Sequence, residues 1–176
     1  MNNTISDFAR RTGFDGFAQD VFGGMKGNPF VKQALTAALF SRPEAPLHLL
    51  IVGNPGTGKT TIKHIAKKTF NGLTLSAGAN STKAGLLFNA RSGTPGILLS
   101  GNGKIVLLDE MDKIAEDDIE YCYEIMSEGK CTIAAGDIQE EVESRPIIIA
   151  FCNPAYGSFV YSPLDKLAAY RLHGQP

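Results

Sequence analysis

A chain of 176 residues with 19 glycines, 20% charged residues and a formal net charge of −1 has the size and polarity of one soluble domain, and its charge excludes a uniformly basic nucleic-acid binder. Cys122, Cys131 and Cys152 show no Cys-x-x-Cys spacing, and Cys122 and Cys152 fall in apolar runs, which reads as buried free thiols rather than a metal or redox centre. The start "MNNTISDFARR" has no apolar signal core and no apolar run approaches the about 18 residues of a membrane span, so no membrane partner is expected and a reducing cytoplasm, with nucleoid association compatible, is the expected setting.

Residues 1–27 form a Gly- and Phe-rich lead-in of weak periodicity, and residues 28–176 read as one core. "NPFVKQALTAALF" predicts a helix with Asn28 as its cap, Pro29 in its first turn, and Val31, Leu35, Ala38 and Leu39 on one face. "LHLLIV" (47–52) reads as a strand buried on both sides. After "GNPGTGKT" comes a helix with a stripe of Ile62, Ile65, Ala66 and Phe70, then a short strand "LTLS" (73–76) and a short helix capped by Ser81. "GILLSGNGKIVLLDE" reads as strand, Asn-Gly turn, strand. Residues 117–128 predict a helix with Ile119, Cys122, Ile125 and Met126 inward, stopped by Gly129. "CTIAAGDIQEEVESRP" (131–146) reads as a hairpin turning at Gly136-Asp137, with Glu140, Glu141 and Glu143 on its returning arm; "PIIIAFC" (146–152) is another buried strand, and "SPLDKLAAYRL" a terminal helix. Short apolar strands alternating with helices predict a parallel sheet covered on both faces, whose ligands sit at the carboxyl ends of the strands.

Three segments at such strand ends carry chemistry. "GNPGTGKT" fits G-x-x-x-x-G-K-[ST], the phosphate-binding P-loop: Gly53, Asn54, Pro55, Gly56, Thr57, Gly58, Lys59, Thr60 and Thr61 form the candidate nucleotide-binding set. A polyphosphate needs inward backbone N–H groups that side chains would obstruct, and the following helix N-terminus adds partial positive charge. Lys59 would reach the β/γ-phosphates of ATP, and the Thr60 hydroxyl would ligate Mg²⁺. "KIVLLDEMDK" (104–113) carries Asp109 to a strand end, where it can hold Mg²⁺ through water, and places Glu110 to polarise the attacking water, while Asp112 reads as a solvated helix-start carboxylate. Asn153, after "PIIIAFC", could orient that water.

This order of motifs resembles an AAA+ ATPase, and more narrowly the ATPase core of the minichromosome-maintenance (MCM) replicative helicases, over about Gly16 to Ser158. The resemblance is carried by "DVFGGMKGNPFVKQALTAALF", the P-loop unit, "STKAGL", "LLDEMDKI", "EIMSEGKCTIAAGDI" and "AFCNPAYGSF". MoxR-like and magnesium-chelatase-like ATPases are near neighbours with similar motifs. The resemblance implies a three-layer α/β P-loop NTPase of AAA+ type, with a parallel sheet and a β-hairpin inserted before sensor 1. It implies Asn153 as sensor 1 and Val21 and Phe22 beside the adenine. It also implies a homo- or hetero-oligomeric ring whose active site is completed by a neighbour's arginine, a contribution worth about 10³–10⁵ in rate in related phosphoryl transfers.

Two departures bear on function. The family's hairpin lysine, which grips DNA, falls on Ala135 here, beside an acidic arm, so DNA binding is weakly supported. The sequence shows no helical lid, sensor 2 arginine or N-terminal DNA-binding domain, and Arg171 falls where an arginine finger could lie without the family's surrounding pattern. Two readings follow: an ATP-hydrolysing core of an MCM-like motor, or a nucleotide-binding protein that docks on AAA+ partners as a regulator or decoy.

Overall fold

The computed structural model describes residues 5–70, 73–76, 83–135 and 138–154. In chain order the elements are α1 (Ile5–Val21), α2 (Pro29–Leu39), β1 (Leu49–Val52), α3 (Lys59–Phe70), β2 (Leu73–Ser76), α4 (Lys83–Leu86), β3 (Phe88–Asn89), β4 (Thr94–Pro95), α5 (Ile97–Ser100), β5 (Ile105–Asp109), α6 (Glu116–Glu128), β6 (Lys130–Ala135), β7 (Ile138–Glu143) and β8 (Ile147–Cys152). A single 3₁₀ turn, Met111–Lys113, lies between β5 and α6.

β1, β8, β5 and β2 form one sheet in that spatial order, with every pairing parallel. The uninterrupted apolar runs of β5 and β8 dictate this placement, since only a strand covered on both faces can bury consecutive side chains. Alternation across the pleat then sorts them. Ile105, Leu107, Ile147, Ile149 and Phe151 face one core with α2 and α3. Val106, Leu108, Ile148 and Ala150 face a second core with α5, α6 and β6. Helices on one face, sheet, and helices on the other make a three-layer α/β arrangement.

The hairpin stands apart from the sheet. β6 and β7 pair antiparallel in the register Lys130↔Glu143 to Ala135↔Ile138, which brackets the expected Gly136-Asp137 corner; those two residues lie outside the described ones. Cys131 and Ile133 point into the second core, and Lys130 donates to Glu141 Oε2 at 2.8 Å on the outer face. Gly129 ends α6 at φ 68° and its N–H returns to Ile125 O.

Four sequence expectations change here. The lead-in contains α1, broken by Gly13 at φ 71° and ψ 175°, which splits the helical period and explains its weak signal. Asn28 is the residue before α2, but at φ 51° and ψ 56° its side chain makes no cap bond. β1 lies at an edge of the described sheet: Leu49 and Ile51 pack inward, whereas Leu50 and Val52 are 47% and 39% exposed. Ile97–Ser100 is a helical turn rather than a strand, and the Asn102-Gly103 turn joins it to β5. The Ser81 cap, the terminal helix and Arg171 fall outside the described residues.

Candidate nucleotide site

The carboxyl ends of all four sheet strands line up at one edge, with Val52 paired to Cys152 and Ser76 to Asp109. The loops leaving three of these ends carry the P-loop, Asp109-Glu110 and Asn153.

The P-loop is built on its own backbone. Gly53 N–H donates to Cys152 O at 3.2 Å, tying the loop to β8. The Thr57 amide and Oγ1 both donate to Asn54 O, at 3.3 and 2.7 Å, closing a turn through Pro55 and Gly56. Gly56 and Gly58 sit at φ 80° and 92°, conformations that a Cβ would strain, and no atom lies within 4 Å of where that Cβ would be. The open volume above them is what a phosphate requires. α3 begins at Lys59, with Ile62 N–H returning to Gly58 O at 3.1 Å, so the preceding amides have no intrahelical acceptor. The first turn holds no acidic residue to cancel the positive helix end. Lys59 Nζ folds back over the loop, donating to Gly53 O and, at 3.0 Å, to Asn54 O. Thr60 and Thr61 are exposed on this first turn.

Beside the loop opens a cleft of about 340 Å³, lined on one side by Met25, Asn28 and Val31 and on the other by Ile51, Val52 and Ile62. Neither Val21 nor Phe22 is among the residues lining it. Phe22 is fully buried in the core and Val21 packs against that core. The apolar wall comes from three to ten residues further along, where the chain turns from α1 into α2.

Asp109 ends β5 with one oxygen, Oδ1, accepting the Glu110 N–H at 3.1 Å, while Oδ2 accepts from Lys63 Nζ of α3. Glu110 itself is left-handed, at φ 55° and ψ 43°, a conformation costing a non-glycine residue roughly 1–2 kcal/mol. It turns the carboxylate out of the sheet, where Oε1 accepts from Lys113 Nζ at 2.6 Å. That hydrogen bond raises the Lys113 pKa. Asp112 is exposed but not idle: its Oδ1 accepts the Asn153 N–H at 3.1 Å, joining the turn after β5 to the end of β8. Sequence reading missed this role because the partner lies 41 residues away. The Cys152 thiol, one residue earlier, is pushed up to about 11 by burial and then by Asp112, which keeps it neutral.

Among the described residues no group of three or more His, Cys, Asp or Glu could hold a metal by itself. A hydroxyl at Thr60 and a carboxylate at Asp109 are hard oxygen donors, too few to bind a cation alone but suited to Mg²⁺ that keeps waters and phosphate oxygens as its other ligands.

The MCM P-loop domain model matches residues 2–164. The chain is 29% identical over 147 residues to the minichromosome maintenance protein MCM of Saccharolobus solfataricus, covering 74% of this chain and 21% of that protein. It is 25% identical over 164 residues to the DNA replication licensing factor MCM3 of Gallus gallus, covering 83% and 20%. A probable DNA helicase, MCM9 of Arabidopsis thaliana, is 30% identical over 113 residues, covering 61% and 18%. The chain thus spans about a fifth of the length of these relatives.

Proposed function

The chain belongs to the MCM P-loop domain family, and from that premise we propose that it binds ATP with Mg²⁺ and hydrolyses it at an interface completed by a neighbouring subunit. The observation that carries this reading is the convergence of the α3 start and the β5 end, joined directly by Lys63 and Asp109. Lys59 neutralises phosphate charge from the loop, and the amides around Gly56 and Gly58 hold the phosphate oxygens. Met25, Val31 and Ile51 offer an apolar slot for the base. Thr60 and Asp109 would hold the cation, which when bound offsets charge on the β- and γ-oxygens. Glu110 accepts a proton from the attacking water, and Asn153, held by Asp112, orients it.

The described residues offer no arginine beside Glu110 with a hydrogen bond or ion pair to it, which fits an arginine supplied in trans. The ATPase rate per subunit should therefore rise steeply with protein concentration. A rate that is flat and negligible alongside tight ATP binding would favour the regulator reading instead. The hairpin bears on the same choice. Its returning arm carries Glu140, Glu141 and Glu143, all exposed, with Glu141 and Glu143 on the outer face and Lys130 already paired to Glu141. Phosphates are repelled by such a surface, so single-stranded DNA should change the rate less than about twofold.

A further inference from the structure

Lys63 is not part of the P-loop motif, yet it occupies the carboxylate on which the site depends. It lies three residues beyond Thr60 on α3, so the two share a helix face. Its ammonium meets Asp109 Oδ2 across 46 residues of sequence, and the two side chains are only 18% and 19% exposed. The other oxygen of Asp109 is engaged by the Glu110 amide. With Oδ1 and Oδ2 both satisfied, Asp109 is neutralised from within the chain. A half-shielded pair of this kind is not the weak surface contact that water dissolves.

We infer that Lys63 is a built-in counter-cation that holds Asp109 and must leave it when a magnesium nucleotide binds, so that Lys63 sets the magnesium requirement of the site. This rests on the reading of the site as a magnesium–nucleotide site. A divalent ion placed between Thr60 and Asp109 meets a positive charge already bound to one of its ligands. The two cations repel at close range, and the ion pair must open before the carboxylate can face the metal. Lys63 has a second consequence when nucleotide enters without metal. Its charge stands next to the phosphates and offsets part of theirs, so metal-free ATP retains affinity. Lys63 therefore narrows the difference between ATP binding with and without magnesium. Of the other lysines of α3, Lys59 is folded over the loop onto Gly53 O and Asn54 O and does not hold Asp109, and Lys67 and Lys68 are exposed in the last turn.

The test is equilibrium binding of radiolabelled ATP to the whole chain, in EDTA and across a MgCl₂ titration, for wild type, Lys63→Met and Lys63→Arg. Lys63→Met is expected to lower the half-saturating magnesium concentration about tenfold and to weaken ATP binding in EDTA by a similar factor. Lys63→Arg, which keeps the charge, is expected to stay within about threefold of wild type. A Lys63→Met titration superimposable on wild type overturns the inference, as does an equal shift in Lys63→Arg. Lys63→Gln, which retains a donor for Asp109, is the second uncharged variant. If neither uncharged variant folds, the pair holds the fold rather than metal access, and the inference is overturned. Failure of the wild-type chain to bind ATP under any condition would be a different result, because it removes the nucleotide reading itself.

Discussion

At the scale of single residues, the placement of Lys59 and Thr60 at the start of α3 and of Asp109 and Glu110 at the end of β5 was legible because each sits at a fixed offset inside a local motif. Residues whose role depends on a distant partner were not. Asp112 meets Asn153, and Lys63 meets Asp109, across more than 40 positions, and no periodicity announces either contact. His48 is a third case. Its Nδ1 accepts the Ile148 N–H at 3.1 Å, a bond that a protonated ring cannot make. Burial lowers its pKa below the ordinary 6.5, against a weaker opposing pull from the Met126 carbonyl. The unfolded chain therefore takes up the proton first as pH falls. Stability from this group is complete above about pH 6.5 and is lost as pH drops through the interval down to the lowered folded-state value, by at most about 1.4 kcal/mol per pH unit. Urea midpoints should fall between pH 7.5 and pH 5.5 in the wild type and change less in His48→Gln. Identical pH dependence in the two chains would contradict this account.

At the scale of elements, the strands and helices that feed the two cores were readable from period alone: α3, α6, β5 and β8 are where the sequence places them. Misread elements share a physical cause. Ile97, Leu98 and Leu99 form an apolar run too short to reveal its period, and they turn as a helix because Leu98 alone needs full burial. Asn28 follows Gly27, and both take positive φ, so the chain enters α2 by a left-handed corner instead of a side-chain cap. The C-terminus of α6 was legible for the opposite reason, since Gly129 is a local stop signal. It also meets a distant constraint: a Cβ there would lie 2.9 Å from the Arg145 guanidinium carbon. Gly129→Ala should cost about 1–2 kcal/mol from the left-handed backbone alone, lowering the melting temperature by roughly 2–8 °C for a chain of this size. An unchanged melting temperature would mean that the α6–β6 corner can take up another conformation.

At the scale of the whole molecule, the parallel sheet decides where chemistry can occur. Strand ends gather at one edge, and the P-loop, the Asp109-Glu110 pair and Asn153 follow from that edge rather than from proximity in sequence. Val21 and Phe22, expected beside the adenine, do not line the cleft, whereas Met25, Asn28 and Val31 do; Met25 belongs to the same core that buries Phe22, and this sorting depends on tertiary packing that local sequence does not display. The hairpin was legible from its alternating arm and its Gly136-Asp137 corner, which the register Lys130↔Glu143 to Ala135↔Ile138 brackets.

The central claim is that the backbone from Gly53 to Thr60 wraps a triphosphate whose metal is shared with Asp109. Equilibrium binding of labelled ATP with excess magnesium tests it directly, in wild type beside Lys59→Ala. The expected result is saturable binding at one site per chain, weakened about 10- to 100-fold in Lys59→Ala through loss of charge-assisted hydrogen bonds worth about 1.5–3 kcal/mol, with both chains melting cooperatively. A folded wild-type chain that takes up no ATP, or one that binds it equally well without the Lys59 ammonium, would contradict the account.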